Sequence, residues 1–233
     1  MKKKIIVTLV ILLIPTMIVV VSLYSSGVSQ KESIDWVKSN NGDVEFHIKG
    51  WAESIPHEET KNLVGKQVTS VSLRDSKIEG LYRLEDFTDC EVLKIEGCTI
   101  DNFSTISKLK KIKELHFVDT NLKDLSFLLE FENLEYLELT NTEVADLKAL
   151  EELQTLKTVK LTGSAVEDIL PLTKLEQIEV IDLSETKVEN ILPLQKLKNL
   201  KNLHVVNTKV TKKQINYLTQ VLQNCEITST DNL

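Results

Sequence analysis

Four histidines, three cysteines and 35 carboxylates are the side chains of this 233-residue chain that could ligate a metal, attack a carbonyl or share a proton. Such chemistry needs fixed spacing. Zinc asks for grouped Cys or His ligands, and nucleophilic serines and helix-borne metalloprotease sites carry their own short motifs. The sequence has no CxxC, GxSxG or HExxH run, and with seven glycines it has no glycine-rich loop to cradle a phosphate. His47 and His57 have no patterned Cys, Asp or Ser beside them. Asn102, Asp124, Asp146, Asp168 and Asn190 recur at a fixed interval, and aligned oxygens of that kind are calcium-ligand types. Whether any of these residues can act together depends on the elements that carry them.

Those elements repeat. An aliphatic residue returns every 22 positions at Val71, Leu93, Leu115, Leu137, Val159, Ile181 and Leu203. Two more columns keep the step, one from Leu73 through Ile95, Phe117 and Leu139 to Val205, the other from Ile78 through Ile100 and Leu122 to Val210. A period this strict is the signature of a solenoid. Within one unit, Leu137 and Leu139 alternate with Tyr136, Glu138 and Thr140, which is the period of a strand. Leu147, Leu150 and Leu153 then recur three apart, which suits a short 3₁₀ or α turn crossing back. One unit cannot bury its apolar face alone, so the units must stack with their strands parallel.

The repeat disposes of most chemical candidates. His116 and His204 share a strand column but stand four strands apart, roughly 19 Å at the spacing of a sheet, too far to share a metal or a proton. Cys90 falls in the apolar column of Ile112, Leu134, Leu156, Ile178 and Leu200, and Cys98 in that of Thr120, Thr142, Ser164, Thr186 and Thr208. Cys225 follows Leu203 by 22 and reads as a further core position, so all three are expected to be buried structural thiols. Each member of the Asn102 to Asn190 column precedes a return turn, where its oxygen can cap free backbone N–H groups, so capping outranks calcium. Pro171 and Pro193 follow two of these caps, as suits a first helical turn. The reading is a non-enzyme with no cofactor and no metal.

With its LxxLxLxxTxV half-unit, the chain resembles the leucine-rich repeat family over about residues 68 to 227, in the 22-residue subclass that includes the bacterial internalins. The resemblance implies an α/β solenoid, a leucine-rich repeat horseshoe with parallel strands on the concave face and short helical or 3₁₀ returns on the convex face. It also implies a separate N-terminal cap. One column departs from the family: Ser76, Cys98, Thr120, Thr142, Ser164, Thr186 and Thr208 stand where Asn is usual. A hydroxyl can do similar local work, so a different hydrogen-bond ladder is expected.

The ends read as follows. Met1-Lys2-Lys3-Lys4 leads into the uncharged run Ile5 to Leu23, about 28 Å long as a helix, with no further basic residue until Lys31. Residues 1–30 are thus expected to be a signal-anchor or a signal peptide, with an anchor favoured. The positive-inside rule places the rest outside a cell membrane crossed once; the alternative is secretion after cleavage. Residues 31–67 are assigned to the cap, with a strand over Val44 to Lys49 and a helical stretch around Glu58 to Val64, and Trp36 and Trp51 covering the first repeat. Residues 68–210 are the repeats, 211–227 a capping helix and strand, and 228–233 a tail.

Function is left to the outward side of the strands. Its central column is Ser72, Lys94, His116, Glu138, Lys160, Asp182 and His204. Glu138, Lys160 and Asp182 lie on consecutive strands, where opposite charges can satisfy one another. Apolar and aromatic residues on this open face, such as Val118, Tyr136 and Val180, suit an interaction surface, while strand propensity is the competing account of the valines. The partner-binding candidates are His116, Val118, Tyr136, Glu138, Lys160, Val180, Asp182 and His204, on a monomer. Past the lysines of the first four positions, 25 basic residues face 35 acidic ones, which repels phosphate backbones and argues against nucleic acid. A protein partner is expected; the alternative is a structural or polysaccharide-recognising ectodomain, for which only Tyr136 is placed to stack on a sugar.

Overall fold

The computed structural model describes residues 30–48 and 66–230. The run Ile5 to Leu23, the stretch Glu58 to Val64, Trp51 and His57 lie outside them, and the side chain of His47 is not described. Among the described residues no helix is long and apolar enough to cross a membrane.

Strands β2 (Lys66–Arg74), β4 (Val92–Glu96), β6 (Glu114–Val118), β7 (Tyr136–Glu138), β8 (Thr158–Lys160), β9 (Val180–Asp182), β10 (Asn202–Val205) and β11 (Glu226–Ser229) form one parallel ladder. β1 (Gly42–Ile48) closes it at the start, pairing antiparallel with β2. A second ladder pairs β3 (Lys77–Ile78) with β5 (Thr99–Ile100). From β2 to β10 the parallel partners stand 22 positions apart, for example Leu115 with Leu137 and Val159 with Ile181. The core columns are buried throughout, including Leu93, Leu115, Leu137 and Val159 at 1% exposure or less. The return segments, such as Ser126–Glu130 and Lys148–Glu152, are 3₁₀ turns, whose threefold period explains the three-residue spacing of the apolar positions.

The column of caps does local work. Backbone N–H groups of Ser104, Ser126, Lys148, Leu170 and Leu192 donate to the side-chain oxygen two residues earlier, at 2.8–3.1 Å. In the column where Asn is usual, Thr142, Thr186 and Thr208 donate to the carbonyl three residues back, while Ser76 and the Cys98 thiol reach back two. Among the described residues Thr120 and Ser164 have no hydroxyl partner, so this ladder is broken at two rungs.

A further column escaped the sequence reading. Asp75, Gly97, Asp119, Asn141, Gly163, Glu185 and Asn207 all have φ between 48° and 66°. Asp, Asn and Gly are the residues that tolerate this left-handed region, and Glu185 is the exception. From Asp75 to Glu185 each of these N–H groups donates to a carbonyl of the following unit, which extends the ladder past the strand ends. A Cβ at Gly97 would collide with Asp75 Oδ1, and one at Gly163 with Asn141 Oδ1.

Both ends depart from expectation. Residues 30–39 form a helix that the sequence reading left unassigned, seated on the first repeat by buried Val37 and by Ser33, whose hydroxyl donates to Asp86 at 2.5 Å. Its signal was weak because the helix lies outside the repeat and is short. Gly42 follows it, where a side chain would strike the Ser72 carbonyl, Val37 and Leu73 at 2.5–2.8 Å. At the other end the helix Lys212–Val221 replaces a 3₁₀ turn, and Leu203 then pairs with Ile227, a step of 24. Cys225 is therefore buried ahead of β11 instead of standing opposite Leu203, because the longer helix takes up two more residues.

Candidate functional site on the concave face

Apart from the exposed Glu114, the outward side chains of β4 to β10 are half-buried by their neighbours along the sheet, since strands less than 5 Å apart leave them little free surface. Four of the eight candidates meet. Glu138 on β7 accepts at Oε2 from His116 Nδ1 (2.9 Å) on β6 and from the Tyr136 hydroxyl (3.0 Å) on its own strand, while Oε1 accepts from Thr140 (3.2 Å). The Tyr136 ring lies 4.6 Å from the His116 ring, centroid to centroid, and Lys160 of β8 places its ammonium 5.4 Å from the same ring. The tyrosine is thus flanked by an imidazole from one neighbouring strand and a cation from the other, a cation–π arrangement.

The electrostatics follow from this geometry. The His116 hydrogen bond, helped by the Tyr136 hydroxyl and the Lys160 charge, outweighs burial and holds the Glu138 carboxyl down to about 2. Burial pushes the Tyr136 hydroxyl up, and contact with Tyr136 raises Lys160. An ionised Glu138 accepts only, so His116 Nδ1 is the donor of this hydrogen bond. Nε2 is covered and has no hydrogen-bond partner among the described residues, with Glu114 Oε2 at 3.6 Å.

The other four candidates stay apart. Asp182 on β9 accepts from the Ser184 N–H at 2.9 Å and does not close an ion pair with Lys160. Val118, Val180 and His204 line the same face, half-buried, outside this network. The ion pairing expected along Glu138, Lys160 and Asp182 is replaced by a local cluster, because Tyr136 brings a hydroxyl to Glu138 and its ring to Lys160. Lys94, the register partner of His116 on β4, was passed over in the sequence reading although it stood in the same central column.

The remaining chemical groups are quiet. Burial pushes the Cys90 thiol up to about 12 and the Cys225 thiol to about 11, and raises that of Cys98. Thiols so disfavoured as thiolates are poor nucleophiles. Among the described residues no group of three or more His, Cys, Asp and Glu side chains could hold a metal.

No family model and no curated protein matches this sequence. Solved structures do. An internalin of Listeria monocytogenes is 25% identical, with a TM-score of 0.59 over 65% of this chain, and this chain spans 44% of that protein's length. Internalin C2 of the same organism matches over 72% of this chain and 86% of its own at 18% identity and a TM-score of 0.61. A plant peptide hormone receptor, solved in complex with RGF2, matches over 69% of this chain and 32% of its own at 18% identity and a TM-score of 0.52. By its repeat and its fold this chain is similar to leucine-rich repeat proteins, in a form that resembles the bacterial internalins.

Proposed function

We propose that the chain is a membrane-tethered, extracytoplasmic, non-catalytic module that binds another protein through its concave face, with Tyr136 at the centre of the contact. The observation that carries this reading is the closed network around Glu138. Aromatic side chains held rigid by their neighbours lose little entropy on binding, and such preorganised centres dominate interface energies. The network also weighs against sugar stacking, because His116 and Lys160 flank the Tyr136 ring from both neighbouring strands. The lysines before Ile5 and the uncharged run after them support export with the N-terminus in the cytoplasm. The module acts as a monomer.

Pull-down from the native envelope with the full chain tests the reading. A Tyr136→Ala/Glu138→Ala variant that keeps the wild-type circular dichroism spectrum is expected to lose the recovered partner. Retention of the partner by that variant, or a wild-type chain that recovers none, sinks it. Envelope fractionation with N-terminal sequencing checks the tether: the wild-type chain should begin at its own N-terminus in the membrane fraction, and a cleaved soluble product refutes the anchor.

A further inference from the structure

We infer that His116 is the working part of a proton-operated clasp: a second proton, taken up at Nε2, draws the exposed Glu114 carboxylate onto the ring. The centre of the concave face thus offers Glu114 when the ring is neutral and withdraws it in acid. The use of such a clasp rests on the concave-face reading above, while its chemistry needs no partner.

The two ring nitrogens are served unequally. Nδ1 donates to Glu138 Oε2 at 2.9 Å, and the Tyr136 ring lies against the imidazole at 4.6 Å. Nε2 is shielded from water, has no hydrogen-bond partner among the described residues, and stands 3.6 Å from Glu114 Oε2. A bare ring nitrogen and a carboxylate both accept, so the neutral ring leaves this contact open. With a proton Nε2 becomes a donor, and a small turn of the Glu114 side chain brings the pair to ordinary hydrogen-bond length. Glu114 is available for it, being nearly half exposed and in no other ion pair among the described residues.

The groups around the ring set the balance. Its own strand supplies Glu114, and β7 supplies Glu138 and Tyr136. β4 supplies Lys94, in register with His116, and Glu96, which pairs with Arg74 of β2 at 3.3 Å. Lys160 of β8 lies against the Tyr136 ring. Glu138 stays ionised down to about 2 and burial keeps the Tyr136 hydroxyl protonated, so neither changes where histidine titrates. Lys94 and Lys160 oppose a further cation. Two carboxylates beside the ring favour it, and the Glu138 contact is direct and half-buried, where charge is screened least.

The step is balanced by one proton, which passes from water to Nε2 while Nδ1 keeps its own and its bond to Glu138. The site gains one positive charge. Because Glu114 bonds only the protonated ring, the stability this contact adds is present in acid and is lost as pH rises through the range of histidine.

The full chain in detergent micelles, 15N-labelled at histidine, tests this by long-range 1H–15N correlation, which separates a bare ring nitrogen from a protonated one. His116→Gln assigns the signal among the four histidines. Nε2 of His116 should take up its proton between about pH 8 and about pH 5. In Glu114→Gln half-protonation should need about threefold more acid, the size of a partly exposed ion pair. Glu179→Gln, three strands away at the side of the sheet, should titrate with wild type. A ring that stays bare at Nε2 down to about pH 5, a Glu114→Gln that titrates with wild type, or an equal shift in Glu179→Gln overturns the inference. The titration is read on the chain alone, so it and the pull-down fail separately.

Discussion

Glu135 and Glu138 stand three residues apart in one repeat and meet opposite fates. Glu138 points to the concave face, is one-fifth exposed and collects three side-chain hydrogen bonds. Glu135 sits at the side of the sheet, is nearly half exposed, and pairs with Lys157 of the next unit at 2.6 Å. That second pair belongs to a ladder in which Glu91, Lys113, Glu135, Lys157, Glu179 and Lys201 alternate in sign down one column. Both carboxyls are held below their ordinary range, Glu135 chiefly by the Lys157 hydrogen bond. Water decides how much each matters, because an exposed pair exchanges solvent contacts for a weak gain while a half-buried one is screened far less.

The scale for both is set by Leu137, which lies between them in sequence and is fully buried. Leu137→Ala removes three carbons from the core and should cost about 3 kcal/mol in urea denaturation. A loss below about 1 kcal/mol would mean that the array closes over the gap, and differences between the two glutamates would then report relaxation as much as contact.

Glu138→Gln comes next. It keeps the shape and an acceptor but removes the charge that His116, Tyr136 and Lys160 are arranged around. With a folded value near 2 against an ordinary value near 4.5, the carboxylate contributes stability that is fully present above the ordinary value and fades as pH falls toward the folded one. Allowing for its partial exposure, the contribution is about 2 kcal/mol near neutral pH. The wild-type advantage over Glu138→Gln should therefore be largest above about pH 5 and shrink steadily below it. Denaturation midpoints of the two proteins between about pH 7 and pH 3 test this, and a difference that stays constant with pH would remove Glu138 from the centre of the network.

What was legible in the residues follows the same division. The core columns could be read because the residue at each position has one neighbour above and one below of the same kind, so its burial repeats with the period. The caps were legible for a related reason: each bonds only to its own turn. Glu138 was not, since His116 and Lys160 lie equally far along the sequence on either side, and the Tyr136 hydroxyl decides which way the carboxylate turns. The left-handed column was hidden by Glu185, and the alternating ladder by its period of two units in place of one. The helix over residues 30–39 and the 24-residue step into β11 lie where the repeat stops, and periodicity is silent there.

The smallest expected effect belongs to the side ladder, and it is the one that sharpens the comparison most. Glu135→Gln and Lys157→Gln each leave a charged partner in open solvent, so neither creates the buried unpaired group that makes loss of a half-buried contact costly. Their urea midpoints should match wild type within experimental scatter, and any residual difference should disappear in molar salt, where the screening length falls to about 3 Å. The Glu138→Gln difference should survive the same salt, because its partners are in direct contact and shielded from ions. If high salt abolished both differences alike, the concave cluster would be an ordinary surface pair, and the case for a preorganised binding centre on β7 would go with it.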